Sequence, residues 1–245
     1  MIIGYLLAII IGLTLGLLGS GGGILTIPVL IYGLDFDPKQ AIALSLGIIA
    51  CVSLVGIFMH YRQGNVMLSK ALVFASSASV GSFLGAKISA FIPADTQMTL
   101  FAIMMLTAAI FMFRGRKEVA ETNLEVSKVF LLIVAFFVGI LTGLIGVGGG
   151  FLIVPTLALL ARLPMHKSVG TSLVVISINS FFGFLGHIGK VEIPYTFLFC
   201  YVFFMSLGIV VGSFFAQKIP QAILKKIFAI FLILLSLYVF YHNNF

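Results

Sequence analysis

An apolar segment broken by glycines occurs twice in this chain, once near the start of each half. Residues 14–30 read TLGLLGSGGGILTIPVL and residues 141–157 read LTGLIGVGGGFLIVPTL, with nine of 17 positions identical. The same offset persists downstream. Ser45 matches Ser172, His60 matches His187, Gly81 and Gly85 match Gly208 and Gly212, and Pro93 matches Pro220. The chain is therefore a duplication, and any fold must accommodate two like halves. Repeat 1 covers residues 1–114 and repeat 2 covers 128–245. The polar stretch 115–127 joins them as a solvent-exposed linker within one integral membrane domain.

Apolar residues make up 61% of the 245 positions and charged residues 9%, against about 45–50% and about 25% in soluble domains. Too few ionisable groups remain to cover a water-facing surface. A soluble enzyme, a nucleic-acid binder and a disordered chain are excluded, and long uncharged runs read as membrane-embedded helices. The 14 basic residues against 7 acidic ones then report orientation rather than a nucleic-acid partner. Cys51 and Cys200 sit in apolar runs without zinc or disulfide spacing, and are expected to be buried small apolar side chains. The first Lys is Lys39, so the basic start of a secretory signal is missing.

Each half opens with a broken apolar segment (1–33 and 129–161). Three further apolar segments follow, near 40–60, 67–91 and 96–113, and near 168–187, 193–217 and 222–241. About 20 residues make one crossing, so about 33 fit neither one crossing nor two. They fit a hairpin of two short arms that enters the membrane and returns, with the glycines at its tip. Irregular backbone at that depth must be buried in protein or line a cavity. The predicted fold class is an all-α polytopic membrane protein of two inverted repeats, each a re-entrant hairpin plus three transmembrane helices.

The basic residues favour this arrangement. With the linker in the cytoplasm, Arg62, Lys70, Arg114, Arg116, Lys117, Lys128, Arg162, Lys167, Lys218, Lys225 and Lys226 fall inside, 11 of 14, leaving Lys39, Lys87 and Lys190 outside. If each broken segment crossed once, five of these would leave and Lys190 would enter, a split of 7 to 7. The positive-inside rule therefore places both chain ends outside the cytoplasm. A simple hydropathy count of seven or eight spans is the competing topology.

Inverted repeats with broken helices place a site between the repeats, near the midplane. Helices restarting after Gly21, Gly22 and Gly23, and after Gly148, Gly149 and Gly150, aim free N–H groups at the tips, where anions are attracted. Pro28 and Pro155 cost little if they lie in the first turn of these helices. Hydroxyls and one amide in the apolar runs are available as contacts: Ser20, Thr26, Ser45, Ser53, Thr171, Ser172, Ser177, Asn179 and Ser180, of which Ser20, Thr26, Ser45, Thr171, Ser172 and Asn179 are the candidates for the anion. A back-bond to its own helix is the alternative for each hydroxyl, and interhelical bonding the alternative for Asn179. His60 and His187 end their segments as interfacial anchors, or as a gate or proton relay. The glycine pairs Gly81/Gly85 and Gly208/Gly212 have the spacing of close helix packing. GSGGG lacks the strand context of a dinucleotide site. A serine protease at Ser20 is disfavoured because its repeat counterpart is Val147, so no enzyme is expected. No cofactor or metal site is expected either.

The doubled motif Gly-x-x-Gly-x-Gly-Gly-Gly-x-x-x-x-Pro, at Gly16–Pro28 and Gly143–Pro155, resembles the sulfite exporter TauE/SafE family, also called the toluene sulfonate uptake permease family. Ala-Leu-Ser-Leu (43–46) and Gly-Thr-Ser-Leu (170–173) are similar to its second motif, with Leu44 departing where the second copy has Thr171. The resemblance implies a multi-pass permease of the cell (inner or plasma) membrane that moves sulfur-containing anions such as sulfite or organosulfonates. Without an ATP-binding motif, its energy comes from a gradient. A passive anion channel is the alternative. The expected partners are the anion and membrane lipid, with a homodimer left open and no nucleic acid. The topology predicts that alkaline phosphatase fused after residue 245 is active, and that the same fusion within 115–127 is inactive.

Overall fold

Turn-forming residues fix where the helices begin and stop. Asp37 accepts hydrogen bonds from the Lys39 and Gln40 amides at 3.0 and 3.4 Å and Pro38 takes the first helical position, so a helix starts there. Gly64 and Gly189, both at positive φ, turn the chain after two long helices, where a side chain would be strained. In this computed structural model, residues 2–19, 21–114, 128–145, 150–161, 163–216 and 218–244 are described. Among them the elements are α1 (Ile2–Leu18), α2 (Gly21–Pro28) with a π-helical turn (Val29–Gly33), α3 (Pro38–Arg62), α4 (Leu68–Ser89), α5 (Ala94–Arg114), α6 (Lys128–Ile145), α7 (Gly150–Leu159), α8 (Met165–His187), α9 (Tyr195–Ala216) and α10 (Gln221–Asn244). The linker 115–127 lies outside the described residues.

Each helix coincides with one of the segments read from the sequence, or with part of one, its ends extending at most three residues beyond it. Helices α3, α4, α8 and α9, of 25, 22, 23 and 22 residues, are long and apolar enough to cross a membrane. At about 1.5 Å per residue, 22 residues span about 33 Å, matching a hydrocarbon core of about 30 Å. The outward faces of the bundle suit lipid: Leu54, Phe199 and Leu234 are 60%, 62% and 64% exposed. Cys200 is exposed on such a face and Cys51 only partly buried, which corrects the expectation of two buried thiols. In a lipid-facing helix, an apolar residue need not point inward.

The first broken segment doubles back. Helix α1 ends at Leu18, Gly19 adopts φ +71° and its N–H donates to Leu15 O at 2.8 Å. This is the left-handed cap that lets a helix stop abruptly. After α2 and the π-helical turn, Leu34 lies against Gly4, near where α1 began. Pro28 is the last residue of α2 and Pro155 the sixth of α7. Both lie beyond the first turn, so the condition under which a proline costs little is not met. Proline removes a helical donor, and α2 widens into the π-helical turn directly after Pro28.

Packing joins the halves rather than separating them. Helix α1 packs on α9, and α6 packs on α4. A Cβ on Gly208 or Gly212 would collide with the Ile9 and Leu13 carbonyls, and one on Gly81 or Gly85 with those of Phe136 and Ile140. Close packing, the simpler reading of these glycines, is what they do. Helices α3 and α8 lie side by side and antiparallel, with Leu46 near Gly183, Gly56 near Leu173 and His60 near Gly170. Between them Ser177 Oγ donates to Ala50 O at 2.9 Å, a bond between equivalent positions of the two repeats.

Substituting Gly212 by Leu is expected to destabilise the protein by at least about 1–3 kcal/mol, the cost of overpacking, and to lower its melting temperature in detergent. The neighbouring Val211→Leu, on the exposed face, is expected to leave the melt unchanged.

Candidate functional site

The first elbow is built from backbone. The last carbonyls of α1 have no partner within the helix, and other helices supply donors. His60, at the end of α3, lies with Nε2 3.3 Å from Gly16 O. Ser172 of α8 donates to Val169 O at 2.7 Å and lies 3.4 Å from Gly19 O. Helix α2 then starts on Gly21, Gly22 and Gly23, whose amides are first-turn donors on residues that carry no side chain. Thr26, one turn further, is buried. The elbow lies level with Val169–Ser172, in the first two turns of α8, rather than with the middle of that helix. The 17 residues of α1 reach about 26 Å, most of the way across a bilayer core.

Helix α6 ends at Ile145 and α7 starts at Gly150, which is buried. Ser20, Gly148 and Gly149 lie outside the described residues. The helices flanking the two glycine clusters are brought together: α2 touches α7, and Leu18, Ile24 and Ile27 share one core cluster with Ile145 and Val154. Helices α5 and α10 close that cluster through Phe101, Met105 and Leu232.

The remaining candidates divide. Ser45 donates to Ile42 O at 2.9 Å and Ser172 repeats that bond at the equivalent position of the second half, so each has the back-bond weighed for it. Ser172 also reaches the first elbow, 3.4 Å from Gly19 O. Thr171 Oγ1 accepts from the Met67 amide at 3.0 Å, meeting an unpaired donor at the start of α4. Asn179 Nδ2 donates to Thr142 Oγ1 at 2.7 Å, and Asn179 O accepts from Ser82 Oγ at 2.9 Å. It therefore ties α8 to α6 and α4, one turn before the second break. Its Oδ1 is buried without a partner.

Both histidines are buried, at 1% and 4% exposure, which corrects the reading of them as interfacial anchors. They end up inside because α3 and α8 are the innermost long helices, surrounded by the others. His187 Nδ1 lies 3.0 Å from Gly183 O and Nε2 lies 3.0 Å from Ser89 Oγ. His60 Nδ1 has no partner.

Ser53 and Ser180, sequence candidates at equivalent positions of the two repeats, are both buried with unpartnered hydroxyls. Two other polar groups escaped the sequence reading. Gln97 and Ser89 line a cavity beside His187. The signal for Gln97 was an amide within an apolar run.

Two interlocked halves, and the contact between the helices that follow the two glycine clusters, agree with the doubled motif. The chain matches the profile of the sulfite exporter TauE/SafE proteins over residues 4–239. It belongs to the sulfite exporter TauE/SafE family. It is 32% identical to the probable membrane transporter protein YdhB of Bacillus subtilis over 233 residues, covering 93% of this chain and 94% of that one. A probable membrane transporter protein of Xylella fastidiosa is 28% identical over 241 residues, covering 96% and 92%. One from Methanocaldococcus jannaschii is 29% identical over 241 residues, covering 90% and 88%. No solved structure matches the chain significantly. This member of the TauE/SafE family is thus a helical membrane transporter, like the relatives it matches.

Asn179→Ala is expected to lower stability by about 0.6–1.7 kcal/mol, the range of interhelical side-chain bonds in membranes, as read by unfolding in mixed detergent. Thr142→Val is expected to remove the same increment, and the double variant to lose little more than either single change.

Proposed function

We propose that this protein is a secondary transporter of small sulfur-containing anions, such as sulfite or an organosulfonate. In this reading the two halves are inverted repeats, each a re-entrant hairpin followed by three crossings. The anion is held between the two glycine breaks. The observation that carries it is the meeting of α2 and α7, the short helices that restart after the two breaks. Their first-turn amides offer partial positive charge. Such donors bind an anion without a fixed cation and so allow its release, which transport requires.

The inverted arrangement draws support from α3 and α8. Equivalent residues, Ala50 and Ser177, meet across helices of opposite direction, as they must where a two-fold axis in the membrane plane passes. Leu34 against Gly4 supports the return of the first hairpin to its own side. Among the described residues, Arg62, Lys70, Arg114, Lys128, Lys167, Lys218, Lys225 and Lys226 then share one end. Lys39, Lys87 and Lys190 share the other. The positive-inside rule assigns the first end to the cytoplasm and both termini to the outside of the cell membrane. Family membership supports the sulfur-containing anion. Ser172 and Thr26 stand nearest the first elbow as candidate contacts. His60 and His187, each at the far end of a central helix, suit a gate or a proton relay.

Counterflow in proteoliposomes tests the reading. Vesicles preloaded with unlabelled sulfite are expected to accelerate entry of radiolabelled sulfite, an exchange that a passive channel does not give. Gly22→Leu is expected to cut that flux by about tenfold or more, the scale of one lost charge-assisted hydrogen bond, while membrane insertion persists. Wild-type flux in this variant, or entry without trans-stimulation, rules the mechanism out.

A further inference from the structure

The end of the molecule that carries Lys39, Lys87 and Lys190 holds a cavity of about 330 Å³, lined by Lys39, Lys190, Ser89, Gln97, His187 and apolar neighbours. Among the described residues, no carboxylate lines it. Lys39 Nζ donates to Ala90 O at 3.1 Å and Lys190 Nζ to Lys87 O at 3.3 Å. Each ammonium has three hydrogens, so each keeps donors for a guest. Lys190 is exposed, yet its pKa is lowered, by desolvation of its ammonium first and then by repulsion from Lys87 and Lys39. Asp37, Asp95 and Glu192 stand two residues from Lys39, Gln97 and Lys190 in the chain but are not among the lining residues, and a lining that carries cations without a carboxylate favours an anion over a cation.

Gln97 adds selectivity. Its Nε2 donates to Ser89 O at 2.6 Å and to Ile92 O at 3.4 Å, which fixes the orientation of the amide. Oε1 is left as a buried acceptor without a partner, on a side chain 1% exposed. A fully deprotonated anion has nothing to give this oxygen. An oxyanion that carries an O–H does.

The repeat makes the site one-sided. At the equivalent positions of the other half, Lys39 becomes His166, Lys87 becomes Phe214, Lys190 becomes Gln63, Ser89 becomes Ala216 and Gln97 becomes Leu224. Only the histidine is kept, as His60.

The geometry points to an anion-capture vestibule at this end alone, in which Lys39 and Lys190 hold the oxygens of a small oxyanion and Gln97 Oε1 accepts its O–H. The choice of a sulfur oxyanion rests on the proposed function, but the location of the site does not.

Calorimetric titration of the purified full chain in detergent tests it, with hydrogen sulfite as probe and methanesulfonate as an anion of equal charge without an O–H. The double variant Lys39→Gln, Lys190→Gln is expected to lose about tenfold or more in hydrogen sulfite affinity, and Lys39→Arg, Lys190→Arg to retain binding. Gln97→Leu is expected to weaken hydrogen sulfite more than methanesulfonate. In counterflow, the Gln pair is expected to raise KM while the maximal rate persists, as removal of a capture site requires. Should that pair not fold, the exposed Lys190→Gln alone decides. Wild-type affinity in the lysine variants overturns the vestibule, and equal losses for both probes in Gln97→Leu overturn the role of the O–H. Lysine-dependent binding seen only with phosphatidylglycerol nanodiscs, and not with the free anion, assigns the lysines to a lipid headgroup and also overturns it. Lysine-dependent binding in a protein without counterflow leaves the vestibule standing and defeats the transport reading.

Discussion

Contact of backbone with backbone at the glycine faces of α1 with α9 and α4 with α6 is the constraint on which the rest depends. Inside a bilayer, apolar side chains gain little by leaving lipid for protein. Helices there associate through close van der Waals approach and a few polar bonds. Gly81, Gly85, Gly208 and Gly212 each face a carbonyl of the neighbouring helix with no room for a methyl group. Because each of these pairs takes one helix from each half, neither half completes its packing alone.

That interlock makes the broken segments tolerable. An interrupted helix exposes carbonyls and amides that lipid cannot satisfy. At the first elbow the partners come from α3 and α8: His60 lies at Gly16 O and Ser172 near Gly19 O. The carbonyl side of the break is therefore served by protein side chains. The amide side is lined by glycines at the start of α2. This imbalance follows from geometry, since one helix ends where the other begins and their dipoles oppose. In the proposed transport reading, this imbalance is what draws an anion to the elbow without a buried lysine or arginine.

Duplication has been kept in the framework and abandoned at the ends. Glycine faces, elbows, prolines and the back-bonds of Ser45 and Ser172 recur at the same offset. The surroundings of the two histidines do not. His187 meets Ser89 and lies beside two lysines at a cavity, whereas His60 meets a backbone carbonyl of α1. A transporter built from like halves faces two different compartments, and chemical divergence at the ends lets it treat them differently.

Composition, periodicity and the internal repeat already make the chain helical, membrane-embedded and built of two like halves, each carrying a glycine cluster. These are properties of composition, periodicity and local backbone preference, which need no knowledge of neighbours. Helix limits were legible for the same reason, since Asp37, Pro93, Pro220 and the charged residues act within a turn of themselves. Only the tertiary structure decided which half each helix serves. It also decided that Thr171 and Asn179 are engaged with Met67 and Thr142, that the histidines are buried, and that Lys39, Lys190 and Gln97 share a cavity. Those outcomes depend on contacts between residues far apart in the chain. Polar side chains in an apolar run announce that they need a partner, but only the packing of helices supplies its identity.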